Sequence, residues 1–587
     1  MRLVAACDNA PIASLIWLCS AAAMVASIAA LGLAVLSFLR DRLGDPGEVL
    51  IAALAIGVAI PTLISLLLLP LPVSYTKACP LIAAALLLGS AARLWWCRNW
   101  LRDLAADRAV QVMTAGIAMT AILPLLLALL PWEQVTGVTS ARTVFSTHAP
   151  LFPGDSYLQY RTAQFIQNRL PLSTTTFFVD WSLADRTPLF GFLATFVVSA
   201  VHVRLPTHGL YEIPAAYHFR LIDPYGYWIY RALSIVTNAF VVAPGYLLAH
   251  RFLGRRAATL GVAFAALSPV VLMNVIFTWP KLLAGFFIGA AFFWMLVKDR
   301  PIAAGAASAA AVLSHPLGAL CLPGIFLVAV WRRRWQHLAL SLGVAVVLLV
   351  PWFAWADLIY RHPARMLTIP IGHTMSANPT RAEVVAAWHD FIRRPLWSIL
   401  ADRVGTVTTT FTGWTFVVEH LHGVYGLRIL AYNLLRATFI GIWGVPLTVF
   451  GYLSLRRLVR PAWALILLVP SLCIFLFWGI QTRPIVLEAF QPLAVPWTCL
   501  AAAELLWRAP RLMPSLLVAT AVQWLGFVFV LVMAVPSLSV WRIPNLFDVM
   551  LIAGLLAIFC IWTVRTLSRP AMEVESETAG AVPASGA

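Results

Sequence analysis

Of the 587 residues, 61% are hydrophobic and only 11% are charged, where a soluble chain carries about a quarter charged residues. Apolar runs of about 20 residues recur, each long enough to cross a bilayer as a helix, whereas barrel strands would alternate polar and apolar residues over about 10 positions. The net charge of +17 does not signal nucleic acid, because the arginines cluster in short connectors where membrane topology explains them.

The expected fold class is all-α: a polytopic transmembrane helix bundle with two large extracytoplasmic loops that carry juxtamembrane helices. In chain order, spans are expected first at 11–37, 48–72, 79–95 and 110–131. The first run is longer than the apolar core of a signal peptide and only Arg2 precedes it, so it reads as a retained helix. Residues 1–109 form an N-terminal group of accessory helices, and 110–500 form the core.

A long polar loop, 132–226, follows. Asp155 heads a helix-compatible segment, Ser156 to Leu170, whose first turns offer Tyr157, Tyr160, Arg161 and Gln164. Asp180 and Asp185-Arg186 precede an apolar stretch, Pro188 to Val203. If that stretch crossed the membrane, most later arginine clusters would change sides. It is expected instead as a helix lying at or dipping into the outer surface, with Thr187 as its cap and Pro188 in its first turn.

Spans at 227–250, 258–277, 281–297, 301–314, 316–331 and 338–356 come next. Trp279-Pro280-Lys281 marks a hairpin tip, and Ser314-His315-Pro316 breaks a pair of short helices. The second loop, 357–430, contains a helical spacing from Arg381 onward and is rich in His and Trp (His362, His373, Trp388, His389). It could close over an acceptor, or its aromatics could be core. Spans at 431–453, 462–480, 484–506, 513–535 and 546–566 complete the chain; residues 501–570 are C-terminal helices, and the Glu-, Ala- and Ser-rich tail 571–587 is expected to be disordered and cytoplasmic.

Sorting connectors by charge puts Arg40/Arg42, Arg98/Arg102/Arg108, Arg251/Arg255/Arg256, Lys298/Arg300 and Arg332/Arg333/Arg334 on one side, assigned as cytoplasmic. Both long loops then face the exterior. The expected location is the cell inner (plasma) membrane, with an active site facing the periplasm or exterior. The eight cysteines are scattered with no C-x-x-C, so neither a disulfide framework nor a zinc site is indicated; no cofactor is expected, and a divalent metal is left open.

Acidic residues beside lipid are costly and point to chemistry. Asp155 could cap the helix it heads, or act as a general base toward an acceptor hydroxyl or amine. Asp180 and Asp185-Arg186 could be a solvated loop with a local pair; alternatively the acids orient an acceptor while the planar fork of Arg186 faces a phosphate. Lys281 could snorkel to the interface or meet an anion. His315 reads as a buried, hydrogen-bonded histidine or as a substrate contact. Arg483 and Glu488 could be an internal ion pair or part of the same site. Charge segregation gathers Asp155, Asp185, Arg186, Lys281, His315 and Arg483 at one membrane face. Preorganised cations there would stabilise a departing phosphate.

With these residues in hand, the chain resembles the GT-C superfamily of integral-membrane glycosyltransferases that use polyprenyl-phosphate sugars, of the protein mannosyltransferase and aminoarabinose transferase type. The resemblance covers roughly residues 110–500 and rests on Asp155-Ser156-Tyr157, Arg186-Thr187-Pro188-Leu189-Phe190, Arg231-Ala-Leu-Ser-Ile-Val-Thr-Asn, Leu253-Gly254-Arg255-Arg256, Ala266-Leu267-Ser268-Pro269, Trp279-Pro280-Lys281, and Arg483-Pro484 with Pro492-Leu493-Ala494. It implies Asp155 as catalytic base, Arg186, Lys281 and Arg483 beside the donor phosphate, and single displacement with inversion. Ser156 stands where relatives carry a second acid, and Lys281 replaces the usual acid at its hairpin tip.

The function expected is transfer of a sugar from a polyprenyl-phosphate donor to a glycan, lipid or protein acceptor. Asp155 and Asp185 are the catalytic candidates; Tyr157, Arg161, Asp180, Arg186, Lys281, His315, Arg483 and Glu488 are the candidate substrate contacts. A transporter or flippase of lipid-linked saccharide is the main alternative, and a surface-glycan polymerase or ligase the next. Transporters tend to show repeated halves and interrupted helices near the midplane, and neither repeat nor intramembrane charge pairs is visible in the sequence.

Overall fold

Helix follows apolar run through the first part of the chain: α1 spans Ala10–Leu36, α2 Pro46–Leu68 and α3 Tyr75–Trp96. The computed structural model describes residues 10–40, 44–127, 158–170, 187–205, 224–276, 278–360 and 380–412, with isolated positions between 469 and 561. Asp45 caps α2 by accepting from the Gly47 and Glu48 amides, with Pro46 in the first turn. A short amphipathic helix, α4 (Arg98–Ala106), occupies what was expected to be a connector, burying Leu104 while Arg98, Arg102 and Asp103 stay exposed. α5 follows over Arg108–Leu127.

Glycine sets the closest approach in this part. A Cβ on Gly32 of α1 would lie 1.9 Å from the Ala53 carbonyl oxygen, and one on Gly57 of α2 would lie 1.9 Å from that of Ile28. The two backbones therefore touch directly, the mode by which small residues let apolar helices associate in lipid.

Two helices lie within the first loop: α6 (Leu158–Gln167) and α7 (Leu189–Ala200). The span expected at 227–250 is α8 (Pro224–Ala239) continued by α9 (Val242–Leu253). The next expected span breaks at Ser268-Pro269 into α10 (Arg255–Leu267) and α11 (Pro269–Ile276), since proline has no N–H to continue the ladder. α12 (Lys281–Phe293) runs on through a π-turn at Trp294–Lys298. α13 (Pro301–Ser314) stops at the expected break, and a 3-10 turn, Pro316–Cys321, leads into α14 (Leu322–Trp331). α15 covers Trp335–Tyr360. In the second loop α16 (Arg381–Arg393) starts with a capping box between Thr380 and Glu383, and α17 spans Leu396–Thr412.

Among the described residues there is no strand, and 7 stretches are long and apolar enough to cross a membrane. The chain is an all-α, multi-pass membrane protein. Gly226–Leu253 is buried along its length and forms the centre, while α3 and α15 are mostly exposed at the periphery.

The two ends of the bundle differ in chemistry. At one end the arginine-rich connectors are knitted together. Lys298 Nζ lies 2.7 Å from Asp45 and 3.8 Å from the buried Glu48, and Arg300 Nε lies 2.9 Å from Glu48. Arg334 pairs with Asp299, Arg332 donates to the Leu296 carbonyl at 2.7 Å, and Arg93 donates to Ser37 at 2.8 Å. At the other end Arg169, just past α6, donates to the carbonyls of Leu68, Leu69, Leu71 and Val73 in the α2–α3 turn. The N-terminal helices are thus fastened to the rest of the protein at both ends.

α7 is enclosed by protein: nearly every residue is buried, with Phe192 and Phe196 packed against Leu68, Tyr75, Cys79 and Ile166. The expectation that Thr187 caps it is corrected. Pro188 already has helical dihedrals (φ −90, ψ −12) and occupies the cap position, which leaves Thr187 one residue too early, its hydroxyl without a hydrogen-bond partner.

Candidate functional site

The end opposite the arginine-rich connectors holds a polar cluster inside the bundle, built from α6, α8, the start of α12 and the α13–α14 break. Its floor is aromatic. Tyr160 of α6 meets Tyr227 and Tyr230 of α8 at ring-centroid distances of 5.4 and 5.5 Å, and Phe190 of α7 meets Tyr230 at 5.6 Å. Arg231 lies one turn beyond Tyr227 on the same face of α8, and Arg161 follows Tyr160 on α6. Both arginines are almost fully buried. Arg161 donates from Nη1 to Gln164 at 2.7 Å.

The hairpin tip before α12 is held by α8. Tyr230 donates its hydroxyl proton to the Thr278 carbonyl at 3.0 Å. Asn238 donates from Nδ2 to the Trp279 carbonyl at 3.1 Å, and its Oδ1 accepts from the Leu283 amide at 3.0 Å. These bonds fix Lys281, whose Nζ sits 3.7 Å from the Trp279 ring centroid with 2% of the residue exposed. Lys281 therefore does not snorkel outward; it stays inside over an aromatic face. The other side of the tip meets His315, whose ring lies 5.3 Å from that of Trp279.

His315 has a structural job: its Nδ1 accepts from the Leu317 amide at 3.2 Å, capping the 3-10 turn. That is the buried, hydrogen-bonded histidine anticipated as one reading, and it stands beside the lysine at the same time. α6 is pinned to α7 at both ends. Gln159 donates to the Thr187 carbonyl at 3.2 Å, and Gln167 donates to the Ser199 hydroxyl and the Val203 carbonyl at 2.8 Å each. A Cβ on Gly191 would lie 2.4 Å from the Thr162 side chain, so that side chain packs directly on the α7 backbone.

Of the residues singled out in the sequence, Lys281 and His315 come together across Trp279, while Arg161 lies on α6 beside Tyr160, bonded to Gln164. Asp155, Tyr157, Asp180, Asp185, Arg186, Arg483 and Glu488 lie outside the described residues. So do most of the spans from 431 onward and the tail. Arg231 and Asn238 open and close the Arg231-Ala-Leu-Ser-Ile-Val-Thr-Asn run, and nothing in their local spacing assigns either a role. A charged residue within an apolar span is itself a pointer to function, and that signal was available for Arg231. None of α6, α7, α8 or α12 contains an acidic residue. Cations held in so apolar a site favour an anionic ligand such as a phosphate. Among the described residues no group of His, Cys, Asp or Glu is placed to hold a metal ion.

No family model matches the chain, and no curated protein does. Two solved structures are similar. One is the crystal structure of ArnT from Cupriavidus metallidurans bound to undecaprenyl phosphate, at 16% identity over 77% of this chain and 73% of that one, with a TM-score of 0.39. The other is the same protein in the apo state, at 18% identity over 77% and 75% of the two chains, with a TM-score of 0.38.

Proposed function

We propose that this chain is a membrane glycosyltransferase of GT-C type that moves a sugar from a polyprenyl-phosphate donor to an acceptor at the outer face of the cell membrane. The observation that carries the reading is the burial of Arg161, Arg231 and Lys281 at the bundle end away from the arginine-rich connectors. Cationic groups enclosed at that end of the bundle suit a lipid-borne phosphate, whose oxygens accept charge-assisted hydrogen bonds and which is also the leaving group of the reaction.

In this reading Asp155 takes the proton of the acceptor nucleophile, which attacks the anomeric carbon. The bond from that carbon to the phosphate oxygen breaks, and the phosphate leaves with the electron pair. Lys281, Arg186 and Arg483 neutralise the charge that develops on it, with Arg161 and His315 beside them. Tyr157, Asp180, Asp185 and Glu488 orient sugar and acceptor.

The test is replacement of Asp155 by Asn in the cell, followed by mass spectrometry of envelope glycans and glycolipids. Loss of one sugar modification at normal protein level is expected. An unaltered product removes the assignment. Donor movement across the bilayer without a new glycosidic bond would identify a transporter instead.

A further inference from the structure

The three N-terminal helices leave a groove of about 1000 Å³ where they meet α7 and α8. Its walls are apolar and include Met24 and Leu31 of α1, Leu87 of α3, Phe196 of α7 and Leu233 of α8. His202 and Arg204 also line it, both exposed, and no acidic residue is among the lining groups. His202 has a left-handed backbone (φ 58) that ends α7. Gln167 and Asn168 then hold the segment through Val203 and Leu205.

His202 and Arg204 mark one end of the groove. Gln167 and Asn168 adjoin Arg169, which binds the α2–α3 turn at the end away from the arginine-rich connectors. From Ser20 to Leu31, both lining the groove, α1 rises about 17 Å. That is close to the depth of one leaflet, half of a hydrocarbon core of about 30 Å. An apolar slot one leaflet deep with basic groups at its membrane-surface end suits a two-part ligand: a hydrocarbon chain and an anionic head.

We propose that this groove binds one anionic glycerophospholipid of that leaflet, with an acyl chain between α1 and α3 and its phosphate facing His202 and Arg204. The site is separate from the Lys281 cluster and independent of the glycosyl-transfer reading. It also gives the N-terminal helices a role, since the lipid fills the space between them and α7.

The test uses the full chain in nanodiscs of equimolar phosphatidylglycerol and phosphatidylcholine with a trace of polyprenyl phosphate, released into mild detergent and weighed by native mass spectrometry. One retained phosphatidylglycerol per chain is expected, and Ala83→Trp, which fills the groove, should abolish it. Arg204→Gln, at an exposed position that leaves folding intact, should lower the retained phosphatidylglycerol relative to phosphatidylcholine by roughly fivefold. Equal retention of both phospholipids by the unaltered protein overturns the proposal. So does retention unaffected by either substitution, or polyprenyl phosphate in the groove in place of phosphatidylglycerol.

Discussion

Asn238 of α8 and Leu283 of α12 are joined by a hydrogen bond of 3.0 Å, from the Leu283 amide to Asn238 Oδ1. The first amides of a helix have no partner within it, so here one helix caps another from the side. The same side chain answers the Trp279 carbonyl. Replacing Asn238 with Leu leaves the buried Leu283 amide without its partner, at about 1–3 kcal/mol, while the Trp279 carbonyl keeps the Lys281 amide at 2.8 Å. A lowered melting temperature and weakened sugar transfer are expected. Ser234→Ala removes only a 3.4 Å contact to Asn238 and should change the melting temperature little. Equal effects of the two would show that the cap is unimportant.

Lys281 offers a cleaner separation of charge from packing. Lys281→Met keeps an unbranched apolar stem over Trp279 but removes the ammonium. It gives up a cation–π contact of about 0.5–2 kcal/mol and also relieves the burial of a charge, so the melting temperature should hardly move. Transfer should fall by roughly a hundredfold, the scale on which a preorganised stabilising group acts, and Lys281→Arg should recover part of it. A full rate from Lys281→Met, measured with saturating donor, would remove this residue from the site.

The crossing of α1 and α2 predicts an asymmetry among glycines. Gly57→Ala places a methyl group 1.9 Å from the Ile28 carbonyl oxygen, which forces the helices apart at a cost of about 1–3 kcal/mol. Gly89→Ala in α3 meets nothing within 4 Å and should be neutral or slightly stabilising, by up to about 1 kcal/mol. Thermal unfolding in one detergent separates the two; similar melting temperatures would show that the backbone contact is not close.

The ion network at the arginine-rich end sets an acid limit. Burial works to raise the Asp45 carboxyl, yet the hydrogen bond and charge of Lys298 and the amides of Glu48 and Gly47 bring it below its ordinary value of 3.8. A carboxyl lowered by folding adds stability that is complete above its unfolded value and is lost as pH falls through the folded one. Asp45 is partly exposed, so solvent screening holds the contribution to about 1 kcal/mol or less. Asp45→Asn should flatten the fall in melting temperature below about pH 4. An unchanged acid limb would assign that fall to other groups.

Much of the bundle was legible because a span needs little more than an uninterrupted apolar run of sufficient length. The ends of α1, α5 and α12 lie within a few residues of the expected ones, and Ser314-His315-Pro316 announced its break. What the sequence hid were relationships between distant elements. α7 is apolar on all sides, the pattern of a helix enclosed on every face, but local spacing does not say by what. Its neighbours α2 and α3 lie far back in the chain. The capping of α12 by Asn238 was invisible for the same reason, as was the pairing of Glu48 with Lys298 and Arg300.

That last pairing has a bearing on how the protein is made. The ribosome delivers α1 and α2 to the membrane long before α12, so this first hairpin must hold together on its own, through the bare contact of Gly32 and Gly57. Throughout that interval Glu48 waits without the two cations that neutralise it in the finished protein. Synthesis of the Lys298–Arg300 segment is then the moment at which a provisional assembly becomes a committed one, and any chain cut short before it leaves an acid stranded at the membrane for quality control to find.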